Sequence, residues 1–326
     1  MAPLLSVNNL RTYFYRSEGV VRAVDGISYT LDHGESLGIV GESGSGKSVS
    51  VLSLLGLLRK NGRVEDGEAI FDGRDLLKLN KEDLREVRGK EISVIFQDPM
   101  TSLNPVFRVG PQMMEPPLWH RLFGNKESKQ RAMQLLKRVG IPEHESRFSD
   151  YPFQFSGGMR QRVMIAMALT CEPKLIIADE PTTALDVTVR SQILNLLQDM
   201  KDEFGMSIIM ITHDFSIACN FCDNIIVMYA GKIMESASTK EFLANCLHPY
   251  SQGLLRSTLD IDTQGIKLNP IPGNPPNLLD PPSGCSFHPR CERRQSICSA
   301  KVPALRQVRP GHSLSCHFAE GGRQNG

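Results

Sequence analysis

Eight consecutive residues, Gly41-Glu42-Ser43-Gly44-Ser45-Gly46-Lys47-Ser48, have the types and spacing needed to hold a run of phosphates. The pattern is G-x-x-x-x-G-K-[ST]. The apolar run Leu37-Gly38-Ile39-Val40 precedes it and the stretch from Val49 to Leu58 comes after, so the context is strand, tight loop, helix, as the motif requires. Small residues let successive backbone N–H groups turn inward around an anion. The helix beyond the loop presents its positive N-terminal end to the same anion. Lys47 is placed to reach the β- and γ-phosphates of a nucleoside triphosphate, and Ser48 to ligate Mg²⁺.

Residues further along the chain narrow the chemistry. Leu175-Ile176-Ile177-Ala178-Asp179-Glu180 is an apolar run ending in two acids. Ser156-Gly157-Gly158-Met159-Arg160-Gln161-Arg162 lies shortly before it, and Gln97-Asp98-Pro99 lies between that segment and the phosphate loop. Ala184-Leu185-Asp186 comes after the acids, and Thr212-His213-Asp214 ends the next strand. In that order the set resembles an ABC-transporter ATPase over roughly residues 4 to 235. The resemblance implies an α/β fold: a P-loop NTPase (RecA-like) core with an antiparallel β subdomain, an inserted helical subdomain at about 105–165, and a small irregular Cys-rich C-terminal extension.

The same resemblance implies roles. Lys47, the loop amides of Gly41 to Ser48 and Mg²⁺ would neutralise the phosphates of ATP, since phosphoryl transfer needs charge neutralisation and a positioned water more than covalent help. Asp179 would hold Mg²⁺, directly or through water, with Ser48 and Gln97 in the same shell. Glu180 could accept a proton from the attacking water, and His213 would bridge that water and the γ-phosphate. An aromatic in the first strands would stack on adenine: Phe14 fits by register, with Tyr13 and Tyr15 as competitors. Ser156, Gly157 and Gly158 open a helix and offer free N–H groups. In the resembled family they complete the site of a partner cassette packed head to tail, with Asp186 at the same interface. The commonest signature there is Leu-Ser-Gly-Gly-Gln; here it reads Phe155-Ser156-Gly157-Gly158-Met159, keeping the serine and both glycines.

The departure narrows the resemblance further. Gly-Gly-Met-Arg-Gln-Arg, the tract Asp98-Pro99-Met100-Thr101-Ser102-Leu103-Asn104-Pro105, His248-Pro249-Tyr250 and the cysteine-bearing end are similar to one subunit type of the dipeptide/oligopeptide importer ATPases. That implies a cassette at 1–235 and a transporter-type C-terminal region at 236–326. The implied partners are a second, related ABC ATPase, two transmembrane permease subunits and an extracytoplasmic solute-binding protein. The implied place is peripheral, on the cytoplasmic face of the inner membrane. Cys285, Cys291, Cys298 and Cys316 are spaced C-x5-C-x6-C-x17-C, a weak signal in itself because it lacks CxxC pairs. Some importers of this kind resemble carriers of a [4Fe-4S] cluster on four such cysteines. Structural Zn²⁺ using His288 or His317 is the runner-up, and free thiols come third. Nickel, glutathione or oligosaccharide remain alternative solutes.

The elements that must position these groups can be read from the pattern. Leu5 to Val7 and Arg11 to Tyr15 read as strands with a turn over Arg16 to Val20, and Val24 to Leu31 as another strand. Gly62 to Gly73 suggests a strand pair, with Gly67 and Asp72-Gly73 as turns. Asp75 to Lys90 alternates charge and reads as a solvated helix. Ile92 to Phe96 delivers Gln97. Arg131 to Val139 is amphipathic and stops at Gly140. In the resembled family the inserted helical subdomain touches the membrane subunits; the single Trp119 could sit at that contact but reads rather as part of a small core. Ser156 caps a helix over about Met159 to Leu169, and Val189 to Lys201 puts Ile193, Leu196, Leu197 and Met200 on one face. Ser207 to Ile211 and Asn224 to Met228 are buried strands, and strands alternating with helices predict a parallel sheet. His248-Pro249-Tyr250 breaks a helix at Glu241 to Ala244. Gln264 to Gly284 is extended and rich in Pro, Asn and Gly, and Gly321 to Gly326 is a tail.

Composition excludes several classes. A formal net charge of +1 over 326 residues argues against a nucleic-acid binder held by bulk electrostatics. No apolar run approaches a membrane span, and Met1 to Leu10 lacks the charged start and apolar block of a signal peptide. Any membrane path must then come from other chains. One phosphate loop and no long heptad run disfavour a soluble ABC protein of DNA repair or translation control. Lys47, Glu180 and His213 disfavour a regulatory module with a dead site. Cys219-Asn220-Phe221-Cys222 reads as small core residues facing the sheet.

Overall fold

A computed structural model describes residues 2–98, 102–183, 185–259 and 271–318. Pro99, Met100, Thr101 and Ala184 lie outside these residues, as do Gln264 to Pro270 and the tail. The chain divides into two compact units: residues 1–32, 36–78 and 210–326 form the first, and 33–35 with 79–209 the second.

The first unit opens with β1 (Leu5–Arg16) and β2 (Gly19–Leu31), which form one long antiparallel hairpin rather than separate short strands. β3 (Ser36–Val40) is buried along its whole length and leads through the phosphate loop into α1 (Lys47–Leu54). β4 (Gly62–Phe71) pairs antiparallel with β1 and turns at Asp72-Gly73 into the two-residue β5 (Arg74–Asp75). Gly67 is not a turn. It sits inside β4 at φ +117, where the register with β1 shifts, and a Cβ there would lie 2.7 Å from Leu10 Cα. The glycine makes a bulge that close approach forces.

The second unit holds most of the helices. The region read as one solvated helix is a single 3₁₀ turn, Leu76–Lys78 of the first unit, then α2 (Lys81–Val87), which Asn80 caps by accepting from Asp83 N. β6 (Ile92–Ile95) leads to Gln97. α3 (Val109–Trp119), α4 (Asn125–Arg138) and α5 (His144–Arg147) come next, and α4 buries Ala132, Leu135 and Leu136. Trp119 is not in a core. It is 46% exposed at the end of α3 with the Arg85 guanidinium over its ring, while that helix buries Val109, Gly110, Met113 and Pro117 instead. α6 (Gly157–Ala168) precedes β7 (Leu175–Asp179), which runs parallel to β6. α7 (Val187–Phe204) buries Ile193, Leu196, Leu197 and Met200 as its spacing predicts.

β8 (Ser207–Thr212) brings the chain back to the first unit, where α8 (Phe215–Phe221) leads to β9 (Asn224–Tyr229), which is parallel to β3. Cys222 and Ala218 face Gly38 of β3: a Cβ on that glycine would sit 3.1 Å from Ala218 Cβ and 3.2 Å from Cys222 Sγ. Cys222 is therefore packing, and Cys219 is partly buried against the same core, where burial pushes its thiol up to about 11. β10 (Lys232–Ser238) pairs antiparallel with β9, and Ser238 caps α9 (Thr239–Asn245). The His-Pro-Tyr sequence ends α9 but also starts α10 (Pro249–Leu259), with Pro at a position whose N–H would be unused anyway. After α11 (Ser296–Ala300), β11 (Arg306–Arg309) and β12 (His312–Leu314) form a hairpin, and β12 pairs antiparallel with β10. The extension thus continues the sheet of the first unit in the order β11-β12-β10-β9-β3.

Candidate functional site

The phosphate loop is shaped by what its glycines touch. A Cβ at Gly41 would fall 2.2 Å from Met228 O, and one at Gly46 would fall 2.2 Å from Ala23 O. Neither position admits a side chain without moving backbone. Gly44 has open space around it but sits at φ +79, in the left-handed region. Lys47 is 5% exposed, and its ammonium donates to Gly41 O at 2.7 Å and Glu42 O at 3.0 Å. Ser45 Oγ is buried with no hydrogen-bond partner. A buried, unanswered hydroxyl in a ring of backbone amides is what a phosphate oxygen would satisfy. The loop fits ATP.

The aromatics of β1 divide between the two faces of the strand. The Tyr13 hydroxyl donates to Asp25 with Arg22 over the ring; the Tyr15 hydroxyl donates to Glu65 with Arg63 over the ring. Phe14 points the other way and lies half-buried against Gly62, its strand partner. His213 is exposed just beyond β8.

In the second unit the structure brings two expected residues together. Gln97 Nε2 donates to Glu180 Oε2 at 3.0 Å, and the Thr183 hydroxyl, which sequence reasoning missed, donates to the same oxygen at 3.0 Å. Glu180 has φ +48, strained for a non-glycine residue, at the point where β7 has just delivered Asp179. The turn Thr183 N→Glu180 O closes this bend, 3.2 Å long. A Glu-Pro-Thr-Thr sequence carries the signal, since a Thr three residues on is placed to bond back. Ser156 caps α6 as expected, its hydroxyl accepting from Met159 N at 3.3 Å, and both Ser156 and Gly157 are exposed. Asp186 caps α7 by accepting from Val189 N at 2.9 Å. Both caps leave helix-terminal N–H groups without an intrahelical partner.

Residues 24–183 match the ABC transporter family, and residues 234–298 match the family described as oligopeptide/dipeptide transporter, C-terminal region. The oligopeptide transport ATP-binding protein OppD of Salmonella typhimurium is 50% identical over 313 residues, covering 96% of this chain and 93% of that one. The corresponding AppD of Bacillus subtilis is 45% identical over 321 residues, covering 98% of each. The chain belongs to the ATP-binding subunits of the oligopeptide/dipeptide ABC importer family. Among solved structures, a dimeric ATP-binding cassette in a post-hydrolysis state, bound to ADP and phosphate, matches with a TM-score of 0.65. The identity is 28%, over 72% of this chain and 98% of that one. The fold is thus that of an ABC ATPase cassette, an ATP-hydrolysing subunit that uses ATP with Mg²⁺.

The extension of this importer subunit is the part least foreseen. Cys285, Cys291, Cys298 and Cys316 line one cavity together with His288 and His317. Burial pushes the Cys285 thiol up to about 11 and raises those of Cys291 and Cys316. Among the described residues, though, no group of three or more His, Cys, Asp or Glu side chains is set to hold a metal ion. The described residues thus show neither the expected iron–sulfur cluster nor zinc. His288 Nδ1 and His317 Nε2 each lie near 3 Å from a backbone carbonyl, of Cys285 and Lys301.

Another feature of the extension is not apparent from the sequence. Glu235 and His312, both fully buried, pair at 2.8 Å. Glu235 also accepts from Leu247 N and His248 N. Burial works against the carboxylate, but His312 and these N–H groups hold its pKa below the ordinary value. Burial likewise works against the imidazolium, but Glu235 and Glu241 hold the His312 pKa above the ordinary value. Burial pushes His248 down to about 4, so it is a neutral imidazole whose Nδ1 accepts from Tyr250 N at 3.1 Å.

Proposed function

We propose that the chain is the ATPase subunit of a peptide importer and that it couples ATP binding and hydrolysis to uptake of di- and oligopeptides through membrane subunits. The observation that carries this is the grip on Glu180, whose carboxylate is held by Gln97 and Thr183. A held carboxylate is what a general base for water needs. Gly41 to Ser48 bind the phosphates, Ser48, Gln97 and Asp179 hold Mg²⁺, and His213 assists at the γ-phosphate. Phe14 stacks on adenine; the engagement of Tyr13 and Tyr15 on the opposite face favours it.

Ser156, Gly157, Gly158 and Asp186 contact the nucleotide of a second ATPase subunit, a related but different chain. The exposure of Ser156 and Gly157 at a helix N-terminus supports this reading. Two permease subunits and an extracytoplasmic binding protein complete the transporter, and the chain sits peripherally on the cytoplasmic face of the inner membrane. Among the described residues no helix is long and apolar enough to cross a membrane. Functionally the cassette is 1–235, with its helical subdomain at about 105–165, and the extension is 236–326.

Peptides are favoured over nickel, glutathione or oligosaccharides by the OppD and AppD relatives. The test is to reconstitute the chain with the other subunits and measure ATP-driven uptake of a labelled tripeptide. Uptake of Ni²⁺ or glutathione in place of peptide would overturn the solute. As the finer reading of the extension, Cys285, Cys291, Cys298 and Cys316 hold a [4Fe-4S] cluster, with Zn²⁺ as the runner-up. Support comes from the convergence of four thiols on one cavity, thiolates being the ligands such a cluster takes. Anaerobically purified protein should be brown with iron and sulfide; stoichiometric zinc without iron would reject the cluster.

A further inference from the structure

Glu42, the second residue of the phosphate loop, is held at every polar group it has. Its carboxylate receives both terminal nitrogens of Arg290, at 2.6 Å to Oε2 and 3.0 Å to Oε1. Its N–H donates to the Tyr250 hydroxyl at 2.9 Å. Its carbonyl accepts from Lys47 Nζ at 3.0 Å and from Ser45 N at 3.2 Å. The first two partners come from the C-terminal region, more than two hundred positions along the chain.

Those two partners are themselves fixed. The Arg290 side chain is 5% exposed, lies over the Tyr229 ring, and donates to Pro272 O at 2.8 Å, Ile271 O at 3.3 Å and the Tyr229 hydroxyl at 3.3 Å. Tyr250 is fully buried, packed between the rings of Tyr229 and Phe287, and its N–H is received by His248. Pro275, Pro276 and Leu278 line a small cavity whose other wall is Glu42, Ser43, Gly44 and Ser45. A bidentate guanidinium–carboxylate pair, its guanidinium buried and its carboxylate only partly exposed, defines the direction of both groups.

We propose that Arg290 and Tyr250 are positioning residues for the phosphate loop: through Glu42 they set the placement of Lys47 and Ser45, making the C-terminal extension part of the ATP site. Neither touches nucleotide. They act on the loop that does, so they set ATP affinity rather than the chemical step. The inference rests on the loop being the ATP site, and Lys47→Ala serves as the separate check on that.

The experiment uses the assembled transporter. KM for ATP, kcat, the dissociation constant for a fluorescent ATP analogue and the melting temperature are measured for Arg290→Gln, Arg290→Lys, Tyr250→Phe and Glu42→Gln, and for the Glu42→Gln/Arg290→Gln double variant. Arg290→Gln should raise KM and the dissociation constant about five- to tenfold with kcat nearly unchanged, the size expected for losing a charge-assisted, largely buried pair. Arg290→Lys, which keeps the charge but not the fork, should lie between it and wild type. Tyr250→Phe should raise KM about two- to threefold. In the Glu42→Gln background the Arg290 substitution should add almost nothing, because both act through one contact.

A lowered melting temperature with unchanged KM would make the pair merely structural and overturn the inference. So would fully additive effects of the Glu42 and Arg290 substitutions. If Arg290→Gln does not fold, Arg290→Lys and Tyr250→Phe decide alone: unchanged affinity in both overturns it. Analogue binding that survives Lys47→Ala would instead remove the ATP-site assignment itself.

Discussion

The molecule has two glycine-rich turns that open a helix, and they are built in opposite ways. The phosphate loop before α1 is walled in: Met228 O and Ala23 O press on Gly41 and Gly46, and Arg290 and Tyr250 hold Glu42. The turn before α6 is bare: Ser156 and Gly157 are exposed, and a Cβ on Gly157 would meet nothing within 4 Å. A loop that must present amides to its own nucleotide benefits from being rigid beforehand, since the ordering cost is met on folding. A loop that meets a ligand carried by another subunit must stay accessible. Similar local chemistry is thus separated by what surrounds it.

The largest expected effect breaks the chemistry while sparing both turns. Glu180→Gln keeps the shape and an oxygen for the contacts to Gln97 and Thr183 but removes the proposed proton acceptor. ATP turnover should fall by about 10²–10⁴-fold with ATP binding retained, as for loss of a general base. Steady-state phosphate release and analogue binding on the assembled transporter measure the two. Undiminished turnover would remove Glu180 as the base.

Next in size is a substitution that should separate the turns. Ser156→Arg fills the exposed turn with a long side chain. Loss of aimed donors at a reacting phosphate site costs on the order of 10²-fold in turnover, and turnover should fall by that much. On the proposed reading, binding of the fluorescent ATP analogue to the isolated subunit draws only on its own phosphate loop and should be unchanged. An equal loss in isolated-subunit binding would show that the two turns serve one nucleotide and would end the comparison.

Much of this arrangement was legible in the residues, for reasons that differ by element. α7 and β9 are set by apolar spacing that only one burial pattern satisfies, and Ser156 announces its own helix. The bend at Glu180 and the caps at Asp186 and Asn80 go unread in the sequence, although each rests on local bonding; reading Asp75 to Lys90 as one helix hides the Asn80 cap. What else escaped was non-local. Gly67 looks like any turn glycine until Leu10 of another strand is laid against it. Trp119 looks like core because tryptophans usually are, and only the packing of α3, which buries Val109, Gly110, Met113 and Pro117, shows that it lies outside. Arg290 reads as one of several charges among cysteines, and nothing within the C-terminal stretch itself names Glu42 as its partner. β11 and β12 are too short and polar to be read before β10 supplies an edge.

The buried pair beside the His-Pro-Tyr turn bears on the braced loop. Glu235 orients Leu247 N and His248 N, and His248 orients Tyr250, which holds Glu42. The groups facing the pair are Glu241, Arg309, Cys246 and His248. His312 is raised above its ordinary 6.5, so its contribution is complete below pH 6.5 and fades as pH climbs through the raised value. Glu235 is lowered below its ordinary 4.5, so its contribution is complete above pH 4.5 and lost as pH falls through the lowered value. Melting temperature should therefore be highest between pH 4.5 and 6.5 and decline by a few degrees as pH rises above 6.5 through the raised value of His312. His312→Gln should flatten that decline. An identical slope in the variant would place the pH response elsewhere.

The smallest effect is the sharpest test of the bare turn. Gly157 is the first residue of α6, its φ is not in the left-handed region, and a methyl group there has open space. Gly157→Ala should therefore leave the isolated subunit as stable as before or more stable, by up to about 0.5–1 kcal/mol, because alanine loses less backbone entropy in a helix. Gly41→Ala, with a carbonyl 2.2 Å from the new carbon, should destabilise the same protein and weaken its ATP binding. Urea midpoints for the two variants set the stability difference, and turnover of the assembled transporter then reads what stability cannot. If Gly157→Ala slows hydrolysis only when the second ATPase subunit is present, the space beside Gly157 is filled by that subunit's nucleotide. If it slows hydrolysis equally in the subunit alone, the turn serves its own site, and the exposed glycine has some other reason to be there.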